Sequence, residues 1–378
     1  MNNPFFIYIT SFLLAITFYL FGWSDIYPTL SAGLVGFLIL TFFVSFILGV
    51  FIYKKQKSKN TSIPVDSKVI CGIVFICFLS TIECVLYPNV PLLQSIQGID
   101  VEHNEYGIPL LHPLIISLTN FYSIYAFHIY LSTRKKLFLF YHLFFYIPNL
   151  IFFTRGNIVM IWISITFVFL QLKRLNFKNL FYICIAIILV LYLFGYLGNI
   201  RVPGNDEVIL RIGKASQSFL ESIIPKEYFW AYLYISSTLA NLQNNIYLND
   251  SNNNEYFLFF IREIMPRIIT KYITQDYAEA NLISPALTTG TMYSQAYSFL
   301  GWTGMIIIYI YMVIFINIVL NLLKRASSLF YVTGIAILNT MILLNVFDNM
   351  LVFSGTILPL SYVFIFGIIY EKKRYYLK

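Results

Sequence analysis

Arg155, Arg201, Arg211, Arg262 and Arg267 are the residues of this chain best suited to hold a phosphate-bearing group. A guanidinium is a planar fork that grips two phosphate oxygens at once. Arg155 lies in Thr154-Arg155-Gly156, a tight turn between two short apolar runs, so it belongs at the depth of lipid headgroups. A charge below that level costs about 2.5–3.5 kcal/mol and calls for a role. Arg201 follows Gly198 and Asn199 at the end of another apolar run, and Arg211 is followed three residues on by Lys214, which predicts a shared helix face. Arg262 and Arg267 are five apart with Pro266 between them, and spacing alone does not choose between the two. Candidates for proton transfer are Glu83 and Asp348, near the ends of apolar runs, and His103 and His112 on the same side. Burial would raise the carboxylates toward useful pKa values, and an imidazole is already near neutrality. His128 and His142 lie toward the opposite ends and read as structural. Trp230 and Tyr293 stand out among Tyr228, Phe229, Tyr232 and Tyr234 as rings able to stack on sugars.

The missing motifs narrow the chemistry. No DxD or ExD pair is present in the segment around Asp25, and the chain has no P-loop, CxxC or HExxH. No metal and no cofactor is expected. If a diphosphate leaves, arginine and lysine must meet its charge.

These residues must be positioned by membrane helices. The chain has 378 residues, 59% apolar and 11% charged, with a mean hydropathy of +0.75, where a soluble domain carries about 25% charged residues. The first apolar run lacks a basic flank and a small-residue cleavage site, so it reads as a retained span. Ten runs read as spans: 4–22, 31–53, 69–87, 110–131, 137–153, 157–172, 179–199, 300–323, 328–347 and 351–370. Of 25 basic residues, 17 fall in one alternating set of connections, from Lys54 through Arg134, Lys173 and Lys324 to Lys378. The positive-inside rule makes that set cytoplasmic, and both termini with it. The net charge of +8 is then accounted for by cytoplasmic loops, with no nucleic-acid partner. Cys71, Cys77, Cys84 and Cys184 all fall inside apolar runs and read as buried small hydrophobes.

The expected architecture is an all-α polytopic membrane protein, one transmembrane domain over 1–378, with a large helical loop at 200–299 on the outer side. That loop, with Arg155, holds every remaining basic residue. Apolar spacing predicts three amphipathic helices in it: one over 208–223, a second over 229–239, and a third over 257–273 interrupted by Pro266. Lys226 and Lys271 read as solvated.

Four stretches carry a resemblance: Tyr106-Gly107-Ile108-Pro109 leading into a span, Thr154-Arg155-Gly156-Asn157 in the hairpin, Gly198-Asn199-Ile200-Arg201 opening the long loop, and Tyr293 to Gly304 closing it. With the span count, they resemble the Wzy-type O-antigen polymerases, the oligosaccharide repeat-unit polymerases. The family's Arg-X10-Gly loop signature is not met strictly, since Gly213 follows Arg201 one residue late. The resemblance implies a GT-C-like glycosyltransferase of the bacterial inner membrane, acting at the periplasmic face. It would transfer a growing glycan from undecaprenyl diphosphate to an undecaprenyl diphosphate-linked repeat unit, without metal. Its partners would be that lipid-linked oligosaccharide, membrane lipid and a chain-length regulator protein. An O-antigen ligase shares the architecture and donor. A lipid-linked oligosaccharide flippase is the rival of another class, and it predicts charged or broken helices at mid-membrane.

Overall fold

The computed structural model describes residues 3–55, 67–97, 106–173, 177–201, 207–248, 255–270, 273, 281–325 and 329–376. Among them every regular element is helical. The helices are α1 (Pro4–Leu20), α2 (Ala32–Lys55), α3 (Ser67–Leu86), α4 (Pro91–Ile96), α5 (Leu111–Thr133), α6 (Lys136–Phe144), α7 (Tyr146–Ile151), α8 (Arg155–Leu172) and α9 (Phe177–Arg201). The long loop contributes α10 (Glu207–Ile212), α11 (Gln217–Leu220), α12 (Tyr228–Leu248), α13 (Tyr256–Phe259), a π-helical turn (Phe260–Ile264) and α14 (Arg267–Thr270). The chain ends with α15 (Ser294–Arg325), α16 (Tyr331–Leu344) and α17 (Ser354–Tyr376).

Four stretches are long and apolar enough to cross a membrane: Ala32–Ile52, Val69–Leu86, Leu111–Thr133 and Ser294–Lys324. They mark a multi-pass membrane protein. Six shorter apolar stretches, in α1, α6–α7, α8, α9, α16 and α17, coincide with the other expected spans. α2 and α3 turn Ile39, Phe43, Phe51, Val74 and Phe78 outward, a surface fit for hydrocarbon. Cys71 and Cys77 share that outward face of α3, contrary to the inward placement expected.

α5 is the central helix, packed against α3, α6, α8 and α17. α16 packs on α8, α1 and α17. Buried polar pairs stitch these helices together: Ser117 with Tyr362 (2.9 Å), Asn120 with Asn157 (3.1 Å), and Ser164 with Thr340 (2.8 Å). His128 bonds Thr333 and His142 bonds Ser123, the structural roles expected of them. Such bonds contribute about 0.6 kcal/mol each inside a bilayer and fix register.

The long loop is docked into this bundle. α12 packs on α1, α9 and α15, and its Leu239, Ala240 and Leu242 share the main core. The first amphipathic helix expected is instead two short pieces. α10 stops at Ile212 because the next backbone groups pair with the α1–α2 connection. Asp25 N donates to Lys214 O (2.8 Å) and Ser216 N to Trp23 O (2.8 Å). Lys214 takes φ +43°, so Arg211 and Lys214 do not share a helix face. The third helix breaks before Pro266 as expected, after a single π-turn.

Candidate functional site

Helix register places the polar residues. α8 and α16 are tied at Ser164 and Thr340. Arg155 lies nine residues from Ser164 and Asn345 five from Thr340, both toward the same end of the bundle, about 14 and 8 Å along their axes. The α8 backbone begins at Arg155, and α9 ends at Arg201. The side chains of both arginines lie outside the described part of the structure, as does His103.

The first polar centre forms where α3, α5 and the turn before α8 meet. Glu83 is fully buried. Its Oε2 is 3.1 Å from His112 Nδ1, and its Oε1 accepts from Ile108 N at 3.2 Å. A buried carboxylate facing Nδ1 fixes the proton on that nitrogen and leaves Nε2 as the basic one. The Tyr106-Gly107-Ile108-Pro109 stretch builds this pocket. Tyr106 stacks on Phe152 at 5.4 Å and its hydroxyl donates to Tyr87 O. The His112 ring meets Phe152 edge-on at 5.1 Å. Gly107 takes φ +108°, and a Cβ there would lie 2.7 Å from His112 and 2.9 Å from Glu83 Oε1. Only glycine lets the chain pass this close to the pair. Phe152 is three residues from Arg155, so the arginine turn and the Glu83–His112 pair form one assembly. Thr154 anchors the turn through its hydroxyl, which donates to Asn149 Oδ1 at 2.7 Å.

The second centre joins the π-turn to the connection after α16. Arg267 grips Asp348 with both terminal guanidinium nitrogens, Nη1 and Nη2, at 2.5 and 2.6 Å. Asp348 Oδ1 also accepts from Asn349 N at 2.7 Å. Glu263 is fully buried, with Asn349 Nδ2 donating to its Oε2 (2.9 Å) and its carbonyl (3.0 Å). Its Oε1 has no hydrogen-bond partner among the described residues. Arg262 is buried beside it.

The expected residues therefore divide. Glu83 meets His112, and Asp348 meets Arg267, a base candidate bound to an anion-binding candidate. Arg211 is exposed on α10. The two expected sugar-stacking rings are occupied structurally: Trp230 packs over Gly198 and donates to Asn199 Oδ1 (2.5 Å), and Tyr293 is fully buried with its hydroxyl 2.7 Å from that of Tyr8. Lys226 is half-buried and held, not freely solvated. Its Nζ caps the carbonyls of Phe219, Leu220 and Ser222 and sits over the Phe219 ring. Sequence reasoning missed Glu263, Asn345 and Asn349. Their signal was polar residues at the edge of apolar runs.

The chain matches no family model, no curated protein and no solved structure.

Proposed function

We propose that this chain is a surface-polysaccharide polymerase of the bacterial inner membrane, moving a glycan from undecaprenyl diphosphate to an undecaprenyl diphosphate-linked repeat unit. The observation that carries the reading is the Glu83–His112 pair seated against the turn that opens at Arg155. In this reading the four long and six shorter apolar stretches make ten spans with both termini cytoplasmic. His112 Nε2 takes the proton of the acceptor hydroxyl. That oxygen bonds the anomeric carbon of the donor as the bond to the diphosphate oxygen breaks, and the diphosphate leaves with the electron pair. Arg155, Arg201 and Arg211 meet its growing charge. Diphosphate is a good leaving group, so no general acid is needed. Glu83 touches no substrate; it orients the imidazole, in the manner of the buried acid of a catalytic triad.

The test is the polysaccharide ladder in a deletion strain complemented with each variant, with membrane expression checked. His112→Ala should reduce it to single repeat units, and Glu83→Gln should shorten it strongly. A normal ladder from His112→Ala would remove the proposed base. Lys214→Ala, an exposed lysine, is the control.

A further inference from the structure

The long loop is expected outside the membrane, yet its contacts lie deep among the apolar helices. α15 is broken at Leu300 and Gly301 (φ 57°, ψ −141°). A Cβ on Gly304 would lie 2.1 Å from Ala296 O, a contact that residues eight apart in one continuous helix cannot make. The chain therefore doubles back at Gly301, and Ser294–Phe299 runs alongside the start of the long limb.

Depth follows from register. The Trp302 ring packs on Gly33, so the tops of α15's long limb and of α2 are level. Tyr309 bonds Thr41 O and Ser45, which keeps the two helices in step. The Tyr293 hydroxyl meets Tyr8, and Tyr8 meets Thr41, eight residues or about 12 Å below Gly33. A second route agrees. Met292 N donates to Asn345 O (2.9 Å), and Leu323 packs on Gly334. Asn345 is eleven residues above Gly334, and Trp302 is 21 above Leu323, so Asn345 lies about 15 Å below Trp302. Arg267 N donates to Val352 O, Asn349 holds Glu263, and Tyr311 donates to Ile264 O. The second polar centre shares that depth. α16, with 14 residues, is about 21 Å long, too short for a hydrocarbon core of about 30 Å. The loop segment fills the space above it.

We propose that Tyr256–Thr270 and Asn281–Leu300 are re-entrant: they enter the membrane from the outer face, seat against α15 and α16, and return. The outward rings of Phe257 (72% exposed) and Phe260 (54%) then lie against outer-leaflet acyl chains, continuous with the outward stripe of Ile306, Ile310, Ile314 and Ile318 on α15. Irregular backbone at this depth is tolerated only inside protein or along water. Arg267 and Asp348 keep side-chain exposures of 31% and 37%, so their open side lines a water-filled recess that opens outward. This rests on the membrane reading and not on the polymerase reading.

The experiment uses the full-length protein without its four cysteines, in lipid vesicles, with a nitroxide on a single cysteine. Phe257→Cys and Phe260→Cys should shift toward oxygen collision over a water-soluble nickel chelate, matching Ile306→Cys. Ile223→Cys, fully exposed in the loop, should favour the chelate. Labels at 257 and 260 that behave like the one at 223 overturn the re-entrant path. Asp348→Cys should react with a charged, impermeant thiosulfonate from the outer side, and Arg267→Cys reads the same recess should the first variant not fold. A folded protein whose thiols at both positions react only after denaturation overturns the recess.

Discussion

Gly107→Ala is the sharpest perturbation of the first polar centre, because it deletes no polar group. The new methyl would sit 2.7 Å from His112 Cβ and Cγ and 2.9 Å from Glu83 Oε1, at a φ of +108°. Carbon contacts settle at about 3.5–4.0 Å, so the imidazole must retreat by roughly 0.8 Å or more. Backbone strain at such a φ adds about 1–3 kcal/mol. A catalytic group misplaced by about 1 Å loses on the order of 100-fold in rate. We therefore expect a protein that still reaches the membrane, melts at lower temperature, and polymerises purified lipid-linked repeat units about 100-fold more slowly. Because the damage acts through His112, Gly107→Ala in a His112→Ala background should slow the reaction no further. The assay is initial rate per folded molecule in vesicles. Wild-type rates from folded Gly107→Ala, or losses that multiply in the double variant, would refute the reasoning.

Polymerisation should survive EDTA, and complete loss restored by magnesium would mean that a cation holds the diphosphate. Arg155→Ala, Arg201→Ala and Arg211→Ala should each cost about 100- to 1000-fold, as loss of one oxyanion donor does, with Arg→Lys recovering only part. Normal ladders from all three would place the diphosphate elsewhere.

The membrane helices were legible because length and composition alone decide them. An apolar run such as Ala32–Ile52 has no rival conformation in hydrocarbon. The Glu83–His112 meeting was half legible: both residues stood out, but their sequence separation of 29 hides the contact. Local pattern failed where tertiary bonds overrode it. Lys214 fits the spacing of a helix face, yet the chain there accepts from Asp25 N and donates to Trp23 O. Lys226 looked solvated because a lysine's charge is visible in sequence and the three carbonyls it caps are not. Tyr293 looked like a sugar platform because an aromatic ring near an interface has the same signature whether it faces a ligand or the core.

The Tyr8–Tyr293 hydroxyl pair spans 285 residues of chain. At synthesis rates of about 5–20 residues per second, α1 leaves the ribosome roughly 15–60 s before its partner exists. During that interval Thr41, on the next helix, already accepts the Tyr8 hydroxyl, so α1 and α2 can enter the bilayer as a satisfied hairpin. The α1 surface that later meets α16 stays against lipid until the chain is almost complete. Assembly of the interior is thus a late, post-insertional event, and a nascent chain stalled before residue 290 would carry an inserted but unclosed bundle.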